Sequence, residues 1–257
     1  MGCDWVWGDL PKGFTRLRVE RTRMVAVREG LEAYMSPERL LMDRETGKDG
    51  SRFYGRGRLA AVRLDDGGNA LVRHYRHGGM LRHLTGGVFC AWPPRPFKEL
   101  AITEEARHRG VPTVEVLAAC VEKVFGPFYR GWLVTRELEG ARDLWAVVQD
   151  DRLEDGSKES LLESAARTVR RMHRQGVYHG DLNLKNILVR REAGKLKSYI
   201  IDFDQARFFP GEVPAAKAQG NLARLLRSIA KLDPQRLYLS GSDWDRFVAF
   251  YREAGAA

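Results

Sequence analysis

The sequence predicts an α+β fold of two lobes, an antiparallel-sheet N-lobe followed by a mainly helical C-lobe. Between Arg58 and Arg76, two β-rich runs flank the turn cluster Asp65-Asp66-Gly67-Gly68-Asn69, which signals an antiparallel hairpin. From Glu159 to Arg174, Leu161, Leu162, Ala165, Ala166, Val169 and Met172 recur at helical spacing. A length of 257 residues, 44% hydrophobic and 30% charged, can bury a real core and suits two small lobes. The expected division is residues 1–140 and 141–257.

The first 50 or so residues mix charges with isolated apolar positions, and a short strand plus a helix from Pro37 to Asp43 is expected there. Gly55 and Gly57 should bend a strand back into the run Arg58–Leu64, and Ala70–Arg76 should complete a three-stranded meander. Residues 77–97, HGGMLRHLTGGVFCAWPPRPF, are rich in Gly and Pro and read as an irregular excursion. Phe97–Arg109 is composed of helix formers and stops at Gly110 before Pro112, with an extended segment after it. GWLVTRELEGARDL reads as a strand running into turn residues, and the acidic stretch 149–160 as a surface connection closing the linker between lobes. After the helix that ends at Gln175-Gly176, Ile187–Val189 and Tyr199–Ile201 form a second hairpin around REAGKLK.

Composition narrows the function classes. An excess of 43 Lys plus Arg over 34 Asp plus Glu gives a formal charge of +9, which suits a nucleic acid, an anionic membrane face or a phosphorylated substrate alike. Cys3, Cys90 and Cys120 are odd in number and unpatterned, which speaks against a disulfide framework or a zinc site and for a reducing cytosol. The N-terminus lacks the apolar core of an export signal, and no stretch approaches the roughly 18 apolar residues of a membrane span.

The chemistry sits in YHGDLNLKNIL (178–188) and IIDFDQA (200–206). Phosphoryl transfer needs the attacking hydroxyl oriented, its proton accepted, and the nucleotide phosphates neutralised by Mg²⁺ and a cation. Asp181 is placed to accept the proton, while Asn186, five residues on, and Asp202, after the apolar strand, offer hard oxygen ligands for magnesium. The spacing is that of a kinase catalytic loop, with Asp-Phe-Asp in place of Asp-Phe-Gly. His179 is assigned an orienting role, and Asn183 either contacts the phosphoryl group or holds the loop. His173 reads as packed structure, and Asp204 as a second metal neighbour or a turn residue.

The upstream half supplies the nucleotide side. Gly55 and Gly57 occupy the corner where backbone amides would close over the phosphates of ATP, though the full G-x-G-x-x-G is absent. Arg73 stands where the third strand should present a cation, Arg76 being its substitute, and an Arg can make a bidentate phosphate contact. Glu99 is the chosen acidic partner of that cation, with Glu104 and Glu105 as alternatives.

YGRG, ALVRHYRHGG, RPFKELAI before GVPTVEVLAA, HGDLNLKNILV and IIDFDQAR, in this order, resemble the lipopolysaccharide core kinases over residues 52 to 230. The resemblance implies a bilobal protein-kinase-like fold and ATP-dependent phosphorylation of a hydroxyl of 3-deoxy-D-manno-octulosonic acid (Kdo), the 4-hydroxyl, on a lipid A precursor. It also implies a cytoplasmic, peripheral location on the inner membrane and no nucleic-acid partner. Only fifty-five residues follow Asp202, too few for a peptide-binding platform, and this favours a small or lipid-linked acceptor. Arg73, His74, Arg76, His77 and Arg82 would attract the anionic acceptor, and the excursion around Trp92 would lie on the bilayer. The rivals are a heptose-type core kinase, an aminoglycoside-type phosphotransferase, a small protein kinase, and a non-catalytic binding module on a kinase scaffold.

Overall fold

Apolar strands buried on both faces build the larger sheet of this protein. The computed structural model describes residues 10–19, 22–33, 53–54, 57–58, 60–75, 87–150 and 155–256. The chain divides into two compact units, one of Met1–Glu104 with Glu115–Glu137, the other of Glu105–Val114 with Leu138–Ala257. Set beside the expected boundary at 140/141, the second unit also takes in residues 105–114.

In the first unit, β1 (Phe14–Val19), β2 (Arg23–Arg28), β5 (Ala60–Arg63), β6 (Asn69–His74), β7 (Val116–Phe125) and β8 (Phe128–Arg136) form a sheet in the order β1-β2-β7-β8-β6-β5. Every neighbouring pair is antiparallel. Both faces are buried: Met24, Ala26, Leu133 and Tyr75 pack with Phe97 and Leu100, while Val25, Val27, Val72 and Leu117 line the other side with Trp132. Phe97 and Leu100 belong to α1 (Arg95–His108), which stops where expected, since Gly110 at φ +80° donates its N–H to the Arg107 carbonyl.

The hairpin β5–β6 turns at the expected cluster, where the Leu64 N–H bonds the Gly68 carbonyl at 2.8 Å and Gly67 takes φ +81°. The expected three-stranded meander is corrected. β3 (Phe53–Tyr54) and β4 (Gly57–Arg58) make a separate two-stranded ribbon, and β6 finds its second partner in β8, more than fifty residues away in sequence. Two further strands, β1 and β2, extend the sheet beyond β7, and Val116–Phe125, expected as an extended segment, is its longest strand. The helix expected at 37–43 lies outside the described residues.

The second unit is built on α3 (Asp155–Arg174), which follows the short α2 (Leu144–Val148). Its stripe of Leu161, Leu162, Ala165, Ala166, Val169 and Met172 is buried against α5 (Gly241–Ala256) and β12 (Lys195–Ile200). β12 pairs with β11 (Ile187–Glu192), which also accepts β9 (Arg142–Asp143), so the expected hairpin is one side of a three-stranded sheet. β10 (Val177–Tyr178) pairs with β13 (Arg207–Phe208), and α4 (Ala215–Leu232) presents a buried stripe of Ala218, Asn221, Leu225 and Ile229. No helix among the described residues is long and apolar enough to cross a membrane.

Candidate active site

The loop after β10 takes its shape from one buried histidine. His179 is 1% exposed, and its Nδ1 accepts the backbone N–H of Asp181 at 3.1 Å. A nitrogen that accepts carries no proton, so in the neutral ring the proton sits on Nε2, which donates to the Ile201 carbonyl at 3.0 Å. Burial keeps the ring uncharged by lowering its pKa below the ordinary histidine range. One imidazole thereby ties the backbone of Asp181 to the residue immediately before Asp202.

Two more contacts fasten the same junction. The Ile201 N–H bonds the Asn186 carbonyl at 3.0 Å, and Asn186 donates its side-chain amide to the Asp181 carbonyl at 2.9 Å. A Cβ on Gly180 would collide with the backbone of Gln205, in the 3₁₀ turn Phe203–Gln205, so only glycine lets the two segments approach. Asp202 occupies the left-handed region at φ 68°, ψ 61°, uncommon for a residue with a Cβ and a mark of a position held by its surroundings. Phe203 anchors it, fully buried with its ring 5.2 Å from that of His179.

Asp181, Asn186 and Asp202 are thus assembled by short links within one unit. Asn183 belongs to the same loop: it donates to the Asp181 carbonyl at 2.9 Å, its Nδ2 lies 3.4 Å from the Asp181 carboxylate, and its Oδ1 accepts the Lys185 N–H at 3.0 Å. These contacts are those of a loop holder. Asn186, with its N–H₂ end turned to the Asp181 carbonyl, has its oxygen end facing away from it, and with the Asp202 carboxylate it offers the hard-oxygen donors that suit magnesium. Among the described residues there is no group of three or more His, Cys, Asp or Glu able to hold a metal.

A polar residue that the sequence reading passed over supports this loop from beneath. Asn221, on α4 with no exposure, donates to the His179 carbonyl at 2.6 Å and accepts the His179 N–H at 3.2 Å. Its Oδ1 also faces His173 Nε2 at 3.0 Å, and since that oxygen only accepts, Nε2 carries the proton. His173 Nδ1 then accepts from the Tyr251 hydroxyl at 2.7 Å. Burial pushes the His173 pKa down to about 4, so this ring too is neutral. The chain Tyr251–His173–Asn221–His179 runs from the last helix to the loop, and His173 is packed structure, as its place on the helix implies. A signal for Asn221 existed: it is the one uncharged polar residue in the apolar stripe of an amphipathic helix.

In the first unit, Arg73 on β6 forms an ion pair with Glu99 on α1, and the Tyr75 hydroxyl donates to the second oxygen of the same carboxylate. Glu99 is 2% exposed while Arg73 keeps 35% of its side chain exposed, so the carboxylate is the buried anchor and the guanidinium the accessible end. The alternative acids are engaged elsewhere, Glu104 with Arg28 at 2.8 Å and with the Val116 N–H, Glu105 with Arg109 at 2.7 Å. Gly57 lies in β4 opposite Tyr54. Gly55, Arg76, His77 and Arg82 lie outside the described residues.

Known proteins resemble this chain in sequence and in fold. Residues 51–251 match the model of the lipopolysaccharide kinase (Kdo/WaaP) family. A 3-deoxy-D-manno-octulosonic acid kinase of Xylella fastidiosa (strain 9a5c) is 37% identical over 173 residues, which span 66% of this chain and 65% of that protein. The enzyme of the same name from Actinobacillus succinogenes is 31% identical over 231 residues, 88% of this chain and 92% of that protein. Among solved structures, WaaP in complex with acyl carrier protein superposes with a TM-score of 0.55 at 21% identity, covering 89% of this chain and 88% of that one, a likeness of fold.

Proposed function

The chain belongs to the lipopolysaccharide kinase (Kdo/WaaP) family, with its protein-kinase-like α+β fold, and from that premise we propose that it transfers the γ-phosphoryl group of ATP to a sugar hydroxyl of the lipopolysaccharide inner core. The acceptor we favour is the 4-hydroxyl of Kdo on a lipid A precursor, reached from the cytoplasmic face of the inner membrane. The relatives named as Kdo kinases support the sugar, and one observation carries the chemistry: neutral His179 binds the Asp181 backbone to the strand end that precedes Asp202.

In this reading Asp181 accepts the hydroxyl proton as the sugar oxygen bonds to the γ-phosphorus, and the bond to the bridging oxygen of ADP breaks. Asn186 and Asp202 would hold magnesium, which when bound neutralises charge on the β and γ phosphates. Asn183 keeps the loop that carries Asp181 in shape. Arg73, fixed by Glu99 and Tyr75, supplies the cation for the α and β phosphates, and Gly55 and Gly57 supply the close backbone approach.

The test is transfer of ³²P from ATP, with Mg²⁺, to Kdo-lipid A, to a heptose-extended core acceptor and to an aminoglycoside in parallel. Label on the Kdo acceptor alone is expected. Label on another acceptor moves the substrate, and ATP binding with no transfer anywhere leaves the non-catalytic module. Asp181→Ala should abolish transfer and keep nucleotide binding, whereas Asp202→Ala should weaken Mg-ATP binding as well; full activity in Asp181→Ala removes the proposed base.

A further inference from the structure

Four large apolar side chains are strongly exposed among the described residues, and two of them are neighbours at one hairpin tip of the first unit. Phe125 is 63% exposed and Val124 42%, both at the end of β7, and Trp92 is 54% exposed. The turn Gly126-Pro127 joins β7 to β8, with the rings of Phe125 and Phe128 4.7 Å apart across it. Trp92 reaches the same end of the sheet by a separate route. Phe89 bridges Tyr129 in antiparallel sense, so the chain after Phe89 runs toward the turn, and Trp92 follows three residues on.

The tip is presented by a firm base. Phe89 and Tyr129 exchange both backbone hydrogen bonds, at 2.7 and 2.9 Å, and the Tyr129 hydroxyl accepts the Arg95 N–H at 3.0 Å. The register between β7 and β8 shifts between Lys123 and Phe125, so Val124 is a bulged residue. A bulge breaks the alternation of a strand, and Lys123, Val124 and Phe125 are exposed in succession. Charge completes the pattern. Lys123 is exposed on one arm of the hairpin, Arg130 is half-buried on the other opposite Glu122, and Glu122, the single carboxylate of segment 121–131, is held by Arg23 at 3.1 Å.

Apolar side chains on a rigid loop, collared by cations, match a bilayer surface in which aromatic rings enter the acyl boundary and cations meet anionic headgroups. We infer that the tip of the β7–β8 hairpin, together with Trp92, inserts into the surface of an anionic phospholipid bilayer and docks the protein there. The choice of a bilayer over another apolar partner rests on the functional reading above, whose acceptor is lipid-linked. The hairpin tip, not the Trp92 excursion alone, is then the principal anchor.

The experiment is co-sedimentation of the purified full chain with vesicles of phosphatidylethanolamine and phosphatidylglycerol, and with vesicles of phosphatidylcholine alone, in the absence of ATP and acceptor. Wild type is expected to sediment with the anionic vesicles. Phe125→Ser should lower the partition coefficient about tenfold, from the loss of most of one buried aromatic side chain. Lys123→Glu should weaken binding at low salt and lose its effect at high salt. Both sites are exposed, so melting curves should be unchanged, as should transfer to a water-soluble, delipidated acceptor. Equal partition of wild type and Phe125→Ser, absence of wild-type binding, or a concentration-dependent self-association of wild type that Phe125→Ser abolishes each overturns the inference. Because binding is read without catalysis, a chain that binds vesicles yet phosphorylates no core sugar refutes the functional reading alone.

Discussion

Replacing Asn221 by alanine strips three hydrogen bonds at once from a place with no solvent. The His179 N–H, the His179 carbonyl and the His173 Nε2–H each lose a partner, at present 3.2, 2.6 and 3.0 Å away. A buried polar group left unsatisfied costs about 1–3 kcal/mol, so the sum is on the order of 3–9 kcal/mol, with water entering the space bringing it toward the lower end. Against a typical stability of about 5–15 kcal/mol this is a large share. In urea unfolding the midpoint should fall accordingly, and thermal melting should drop by roughly 10 °C for a chain of this size. A second readout separates position from mere stability. At a temperature where the variant is folded, turnover should fall by more than nucleotide affinity, because the bonds lost hold the backbone that carries Asp181. A stability loss under about 1 kcal/mol with unchanged kcat would refute the idea that Asn221 holds the loop.

Acid should act through the same network. His173 has its pKa lowered to about 4 by burial, below its ordinary value near 6.5 in the unfolded chain, so between those values the unfolded state binds the extra proton. Stability is therefore fully present above about pH 6.5 and declines as pH falls toward 4, and His179 acts in the same direction. Unfolding free energies across that window should show the slope, and His173→Gln should flatten it; an unchanged slope in His173→Gln removes His173 as its source. Gly180→Ala should reduce stability by about 1–3 kcal/mol and turnover with it, since a methyl group meets the Gln205 backbone. A crystal structure of that variant with the loop unmoved would count against the close approach. Arg73→Ala leaves the buried Glu99 carboxylate with the Tyr75 hydroxyl, and should cost on the order of 2 kcal/mol after allowing for the exposure of Arg73. Adding Glu99→Gln should restore stability and leave nucleotide affinity low; recovery of both assigns Arg73 a structural role only.

The residues proposed for the chemistry were legible in the sequence because they lie in two short loops with fixed spacing. His179, Asp181 and Asn186 fall within eight residues, and Asp202 follows a strand whose hairpin partner begins at Ile187. The helical stripe of α3 and the turn cluster at 65–69 were equally plain, since periodicity and turn chemistry are local. The pairing of Arg73 with Glu99 was reached by counting strands to a helix, and the structure brings those two side chains together.

Tertiary structure decided what depends on distant partners. Asn221 meets His179 across 42 residues, and nothing within reach of either marks the other. β6 takes β8 as its second partner beside β5, because strand neighbours are chosen by packing of whole faces, so the expected meander gave way to a sheet widened by β1 and β2. Gly180 looks like any loop glycine until the Gln205 backbone is seen against it. The exposed tip at Val124 and Phe125 carries a one-residue register shift between two strands, and no periodicity in either strand reveals it. Local chemistry is written along the chain, whereas the support that orients it is set by which surfaces meet when the chain folds.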